Sequence, residues 1–164
     1  MAKSITNGVG TSSRDILSAL EQLQINAVDM LLNTAGLVIG SVAAEKVKIA
    51  NTIYALVDGV LAKKTTAEIA LAGTVANAAF NVFVLSMDVD GTVTASMGTA
   101  GATIGAVVFP TIPDDSVVIG FIIVNPTGTG DFVGGTTELA DATVAPNTVY
   151  INTPYPFNPN ALAL

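Results

Sequence analysis

Residues 81–97 read NVFVLSMDVDGTVTASM, and residues 116–124 read SVVIGFIIV. The first stretch holds an apolar run, then Asp90-Gly91, then a second run with alternating polarity. An Asp-Gly pair between two such runs is the strongest short-range hairpin signal, because glycine accepts the positive φ that a tight turn demands. The second stretch is apolar on both faces. A strand of that kind lies centrally in a sheet covered on both sides, or at a subunit interface.

Working outward, the same grammar repeats. From Lys46 the apolar period becomes 2, with Val47, Ile49 and Ile53 on one side and Lys48, Ala50 and Thr52 on the other. Asp58-Gly59 separates IYALV from VLAKKT and predicts another hairpin. Residues 66–72 and 148–152 read as further strands, and residues 125–137 (NPTGTGDFVGGTT) as a glycine-rich loop or corner. Six to eight short strands are expected. The fold class is mainly β: a small antiparallel sandwich or barrel, with an N-terminal helical arm and an extended Pro-rich C-terminal tail.

The arm rests on another period. Ser12 or Ser13 caps a helix with Asp15 in its first turn, and apolar residues follow at Ile16, Leu20, Leu23, Ala27 and Met30. Spacings of 4, 3, 4 and 3 put these five on one helix face. That face packs either on its own domain or against symmetry mates. Residues 154, 156 and 159 are prolines, which keep the tail extended. The expected division is an arm over 1–45 for attachment or oligomerisation, a β body over 46–152 and a tail over 153–164.

Composition narrows the function. The 164 residues are 51% apolar but only 12% charged, about half the usual share, so much neutral surface faces outward or against neighbours. With no cysteine and no histidine, thiol nucleophiles, disulfides, Cys/His zinc sites and histidine acid–base chemistry are excluded. All six basic residues lie in the first 64, against five acids, a net charge of +1 there. Residues 65–164 hold eight acids and no Lys or Arg. Such a surface cannot displace counterions from phosphates, so neither nucleic acid nor an anionic membrane is an expected partner. The first residues lack the apolar core of a signal peptide, and the longest apolar stretch, residues 31–44, is too short to span a bilayer.

No catalytic, cofactor-binding or metal site emerges. Asp88-Val89-Asp90-Gly91-Thr92 resembles the start of a calcium loop, but the twelfth position is Thr99 rather than Glu. It reads as a hairpin turn. Asp114-Asp115 reads as a solvated turn, and Lys63-Lys64 as a solvated strand end. Gly98, Gly101 and Gly105 match no phosphate-loop spacing and have no lysine nearby. An enzyme is not expected.

The order of these elements also resembles known proteins. NTIYALVDGVLAKKTTAEIAL, FNVFVLSMDVDGTVTASMGTAG, PDDSVVIGFIIVNPTGTGDFVGGTTEL and VYIN succeed one another. That order is similar to a pattern of tailed-bacteriophage virion proteins of the capsid decoration, cement or head-fibre kind, and covers roughly residues 50–152. The resemblance implies a non-enzymatic structural protein, often trimeric, that binds the major capsid protein on the outer surface of a phage capsid and stabilises it. It would be made in the host cytoplasm and reside in the virion. The alternative is a fibre, baseplate or tail protein with a receptor- or glycan-binding role. With no Trp and two of three tyrosines near the C-terminus, the chain is poor in the aromatic platforms that sugars stack on.

Overall fold

A computed structural model describes Leu17 and residues 29–153. Twelve antiparallel strands follow in chain order: β1 (Met30–Leu31), β2 (Leu37–Ile39), β3 (Lys46–Ile49), β4 (Ile53–Val57), β5 (Val60–Lys64), β6 (Ala67–Ala70), β7 (Thr74–Val75), β8 (Asn81–Asp88), β9 (Val93–Met97), β10 (Ser116–Val124), β11 (Phe132–Val133) and β12 (Val149–Asn152). Among the described residues, one 3₁₀ turn spans Ile104–Ala106. The ladders form four sheets, ordered β1-β4-β5, β12-β10-β8-β9, β11-β7 and β2-β3-β6. Edge strands of different sheets run close together, β12 beside β2 and β9 beside β6, but no ladder joins them, so the strands do not close a barrel.

All four sheets feed one core. Leu31, Ile53 and Val57 meet Leu37, Val47 and Ile49, together with Phe83, Leu85, Met87, Ile119 and Ile122. The short β7–β11 ladder adds Val75 and Phe132, and the Phe132 ring meets Phe83 edge to face at 6.0 Å. The period-2 reading from Lys46 onward corresponds to this geometry: Val47, Ile49 and Ile53 are fully buried.

Strands β8 and β10 are buried on both faces, as their composition requires. Their second faces present Val82, Val84 and Val118 to Ile112, with Val107, Phe109 and Phe121 packed against this group. The rings of Phe109 and Phe121 meet edge to face at 5.5 Å. The cover is therefore the chain's own segment between β9 and β10, pinned by bridges Phe80↔Gly101 and Thr99↔Val108. A subunit interface is not needed to hide these faces. Between Val118 and Gly120 the β8–β10 register shifts by one residue. That bulge changes which parity faces the core: Val117 and Ile119 before it, Ile122 and Val124 after it. The Val118 carbonyl is taken up by the hydroxyl of buried Thr153 at 2.9 Å.

The strand content begins earlier than expected. Met30, read as the last member of a helical stripe, lies in β1 and pairs with Leu56; β2 pairs with β3. Residues 30–31 and 37–39, assigned to the arm, thus belong to the sheets. Spacing alone misled here, because Met30 continues the 4-3 count while the chain has already turned extended. Ile16, Leu20, Leu23 and Ala27, with the tail from residue 154, lie outside the described residues.

Candidate functional site

The two Asp-Gly pairs occupy hairpin turns of different kinds. Val57 pairs directly with Val60, leaving Asp58 and Gly59 as a two-residue loop with φ of 49° and 74°. Two successive positive φ values make a type I′ turn, whose twist matches that of the strands. The Asp58 N–H donates to the Asp29 carboxylate at 2.9 Å, which fixes the start of β1 against this turn. The second hairpin is longer. The Asp88 N–H donates to the Thr92 carbonyl at 3.0 Å and the Gly91 N–H to the Asp88 carbonyl at 3.1 Å. The Asp88 carboxylate accepts the N–H groups of Asp90 and Thr92 at 3.0 and 2.8 Å. That carboxylate is thus engaged by its own turn, and Gly91 carries the positive φ of 76°.

The fold brings the two hairpins together. A β-carbon on Gly91 would collide with the Lys63 carbonyl oxygen, so the second turn lies against the end of β5. The Lys63 ammonium sits 5.7 Å from the centre of the Tyr54 ring, its cross-strand partner. Asp114 and Asp115 are exposed in the turn before β10. Among the described residues, no three acidic side chains converge where a metal ion could sit.

Two carboxylates that sequence reasoning left as undifferentiated acids have defined partners. Glu68 of β6 reaches the loop between β2 and β3 and accepts the N–H groups of Ser41, Val42 and Ala43 at 2.7, 2.9 and 3.1 Å, and the Ser41 hydroxyl at 3.1 Å. Lys48, opposite Glu68 in the ladder, donates to the same Ser41 hydroxyl at 2.8 Å. The Val42 N–H leads these contacts in holding the Glu68 carboxyl below its usual value of 4.5, against an opposing push from desolvation. Asp141 accepts the hydroxyl and N–H of Thr143, both at 2.7 Å, and the Val144 N–H at 3.1 Å. The Thr143 hydroxyl is the main cause that lowers its pKa. Asp-x-Thr at 141–143 was a legible signal for this turn; the Glu68 contacts cross 25 to 27 residues and had none.

These groups fasten loops to strands. The outward-facing side chains include both acids and large apolar residues. Asp90, Asp114, Asp115, Asp131 and Glu138 are exposed. Directly after β1, Leu32 is 50% exposed, and on β4 and β5 Tyr54 and Leu61 are 41% and 61% exposed. No protein-family model, curated protein or solved structure matches the chain. Among the described residues, no helix is long and apolar enough to cross a membrane.

Proposed function

We propose that this chain is a non-enzymatic structural protein of a tailed-phage virion that binds the outer surface of the capsid and stabilises it, as decoration or cement proteins do. In this reading the four sheets make up a β-sandwich body displayed on the particle, and the major capsid protein is the partner. The observation that carries the reading is the order of segments over residues 50–152: the DG hairpin, FVLSMDVDGTV, IGFIIV and FVGGTTEL in succession.

The charge distribution supports it. Residues 65–164 present eight acids and no base, which suits a surface that stays in solvent and repels like particles. An attachment repeated over many copies needs only a modest neutral patch on each, because multivalency makes weak contacts durable. Assembly as a homotrimer belongs to the same reading. It rests on the resemblance and the low charge content, since the second faces of β8 and β10 are covered within the chain.

Co-sedimentation tests this reading. Purified protein mixed with undecorated heads of the cognate phage should pellet with them at saturable stoichiometry and raise the temperature at which the heads release DNA. Protein left entirely in the supernatant would contradict it.

A further inference from the structure

The sequence holds the dipeptide Asp-Gly twice, at 58–59 and 90–91, and the fold treats the two differently. In such a pair the glycine backbone nitrogen can attack the aspartate side-chain carbon, and glycine hinders this least because it has no β-carbon. The N–Cγ bond forms, the carboxyl OH leaves with the amide hydrogen as water, and a five-membered succinimide results. Water then reopens the ring. Cleavage at Cγ restores aspartate. Cleavage at the α-carbonyl leaves the chain running through the side chain, an isoaspartate with one extra backbone carbon. One water is released and one taken up, and no other reactant is needed. The geometric demand is that the Asp–Gly peptide rotates until its nitrogen meets Cγ.

At 58–59 that peptide is not held. Asp58 and Gly59 are exposed at the tip of the β4–β5 hairpin. Among the described residues, neither the Asp58 carbonyl nor the Gly59 N–H has a hydrogen-bond partner. The bond from the Asp58 N–H to Asp29 fixes the peptide before it. Asp58 also has φ of 49°, a conformation that strains a residue with a β-carbon, so rotation out of it relieves strain. At 90–91 the same peptide is held. Gly91 is buried, its N–H donates to the Asp88 carbonyl at 3.1 Å, and its α-carbon lies against the Lys63 carbonyl. The Asp90 N–H is taken by the Asp88 carboxylate at 3.0 Å. Rotation there would break the turn and lift the glycine from its seat. We propose that Asp58 is a site of spontaneous isoaspartate formation in the folded chain, and that the seat of Gly91 protects the identical pair at 90–91. Val57 pairs directly with Val60, so the two-residue loop has no slack. An extra backbone carbon abolishes its type I′ geometry and loosens β4 and β5 from the tip. The α-carboxyl it frees is the group that protein-isoaspartate methyltransferases accept as substrate. The inference concerns the chain by itself and stands apart from the virion reading.

The unmodified full chain serves for the test. One portion is kept folded at neutral pH for several weeks, and another is kept unfolded in guanidinium chloride for the same time. Both are digested with trypsin and chymotrypsin, and the peptides spanning Asp58 and Asp90 are scored for isoaspartate by electron-transfer fragmentation, which distinguishes the two linkages. In the folded portion Asp58 should convert several times faster than Asp90, because a hairpin tip opens locally more readily than a seated turn. In the unfolded portion the two should convert at similar rates. Equal conversion at both sites in the folded portion, or none at Asp58 there while the unfolded portion converts, would overturn the proposal. So would a preference for Asp58 that persists unchanged on unfolding, which would trace it to flanking sequence and not to the fold.

Discussion

The carbonyl oxygen of Lys63 occupies the space that a β-carbon on Gly91 would need, so the turn of one hairpin is seated on the end of another. Gly91 also has φ of 76°, where residues with a β-carbon are strained. Both constraints act on the same atom. Gly91→Val should destabilise the protein by about 1–3 kcal/mol, read from urea denaturation. A variant that unfolds at the wild-type midpoint would show that the turn and its seat have been misplaced.

In-chain covering of β8 makes a second prediction. Ile112 is 4% exposed and packs with Val82, Val84 and Val118, whereas Ile104, in the same covering segment, is 55% exposed. Ile112→Ala should destabilise by about 2–5 kcal/mol, and Ile104→Ala by no more than about 0.5 kcal/mol. Chemical denaturation at low micromolar concentration, repeated at tenfold dilution, checks this. Equal small effects, or an Ile112→Ala effect that grows on dilution, would place the cover on another molecule.

The Glu68 clamp should make stability depend on acid. Its carboxyl has a lower pKa folded than unfolded, so the stability it contributes is fully present above the ordinary value of 4.5 and is lost as pH falls through the folded value. Asp141 acts in the same sense from its ordinary value of 3.8. Glu68→Gln should flatten part of the stability loss below pH 4.5 and speed amide exchange at Ser41, Val42 and Ala43. Unchanged exchange at those amides would show that the carboxylate does not hold the loop.

Tyr150 predicts behaviour at the alkaline end. Half-buried on β12, its hydroxyl has no hydrogen-bond partner among the described residues, and burial pushes its pKa to about 12 from 10. A group whose folded pKa is raised stabilises the fold below its unfolded value and loses that contribution as pH climbs through the folded one. Stability should therefore fall between pH 10 and 12. Tyr150→Phe removes an unpaired buried hydroxyl, so it should leave stability at pH 7 unchanged or higher and move the alkaline unfolding midpoint upward. A loss of stability at pH 7 would reveal a partner for that hydroxyl.

How much of this was legible in the sequence follows from the range of each interaction. The Asp58-Gly59 and Asp90-Gly91 hairpins were legible because turn chemistry is local: the residues that need positive φ are themselves the signal. Ser116–Val124 and Asn81–Asp88 were legible as doubly covered strands, since no alternation survives in them. What covers them was not, because residues 99–112 carry glycines and scattered apolar residues without period. Strands β1, β7 and β11, two residues each, are too short for any period to show. Met30 shows the opposite failure, a spacing that fits a helix in a residue that pairs with Leu56. The Glu68 clamp joins residues that only the β3–β6 register brings together.

Immunogold labelling tests the proposed role most directly. Antibody raised against this chain would be applied to purified phage particles from a culture that produces it, and the particles viewed by negative-stain microscopy. Gold distributed over the capsid surface, at many copies per head and absent from tails, is the predicted result. Gold confined to the tail, baseplate or fibres, or intact particles that lack the chain by mass spectrometry, would contradict a capsid decoration role.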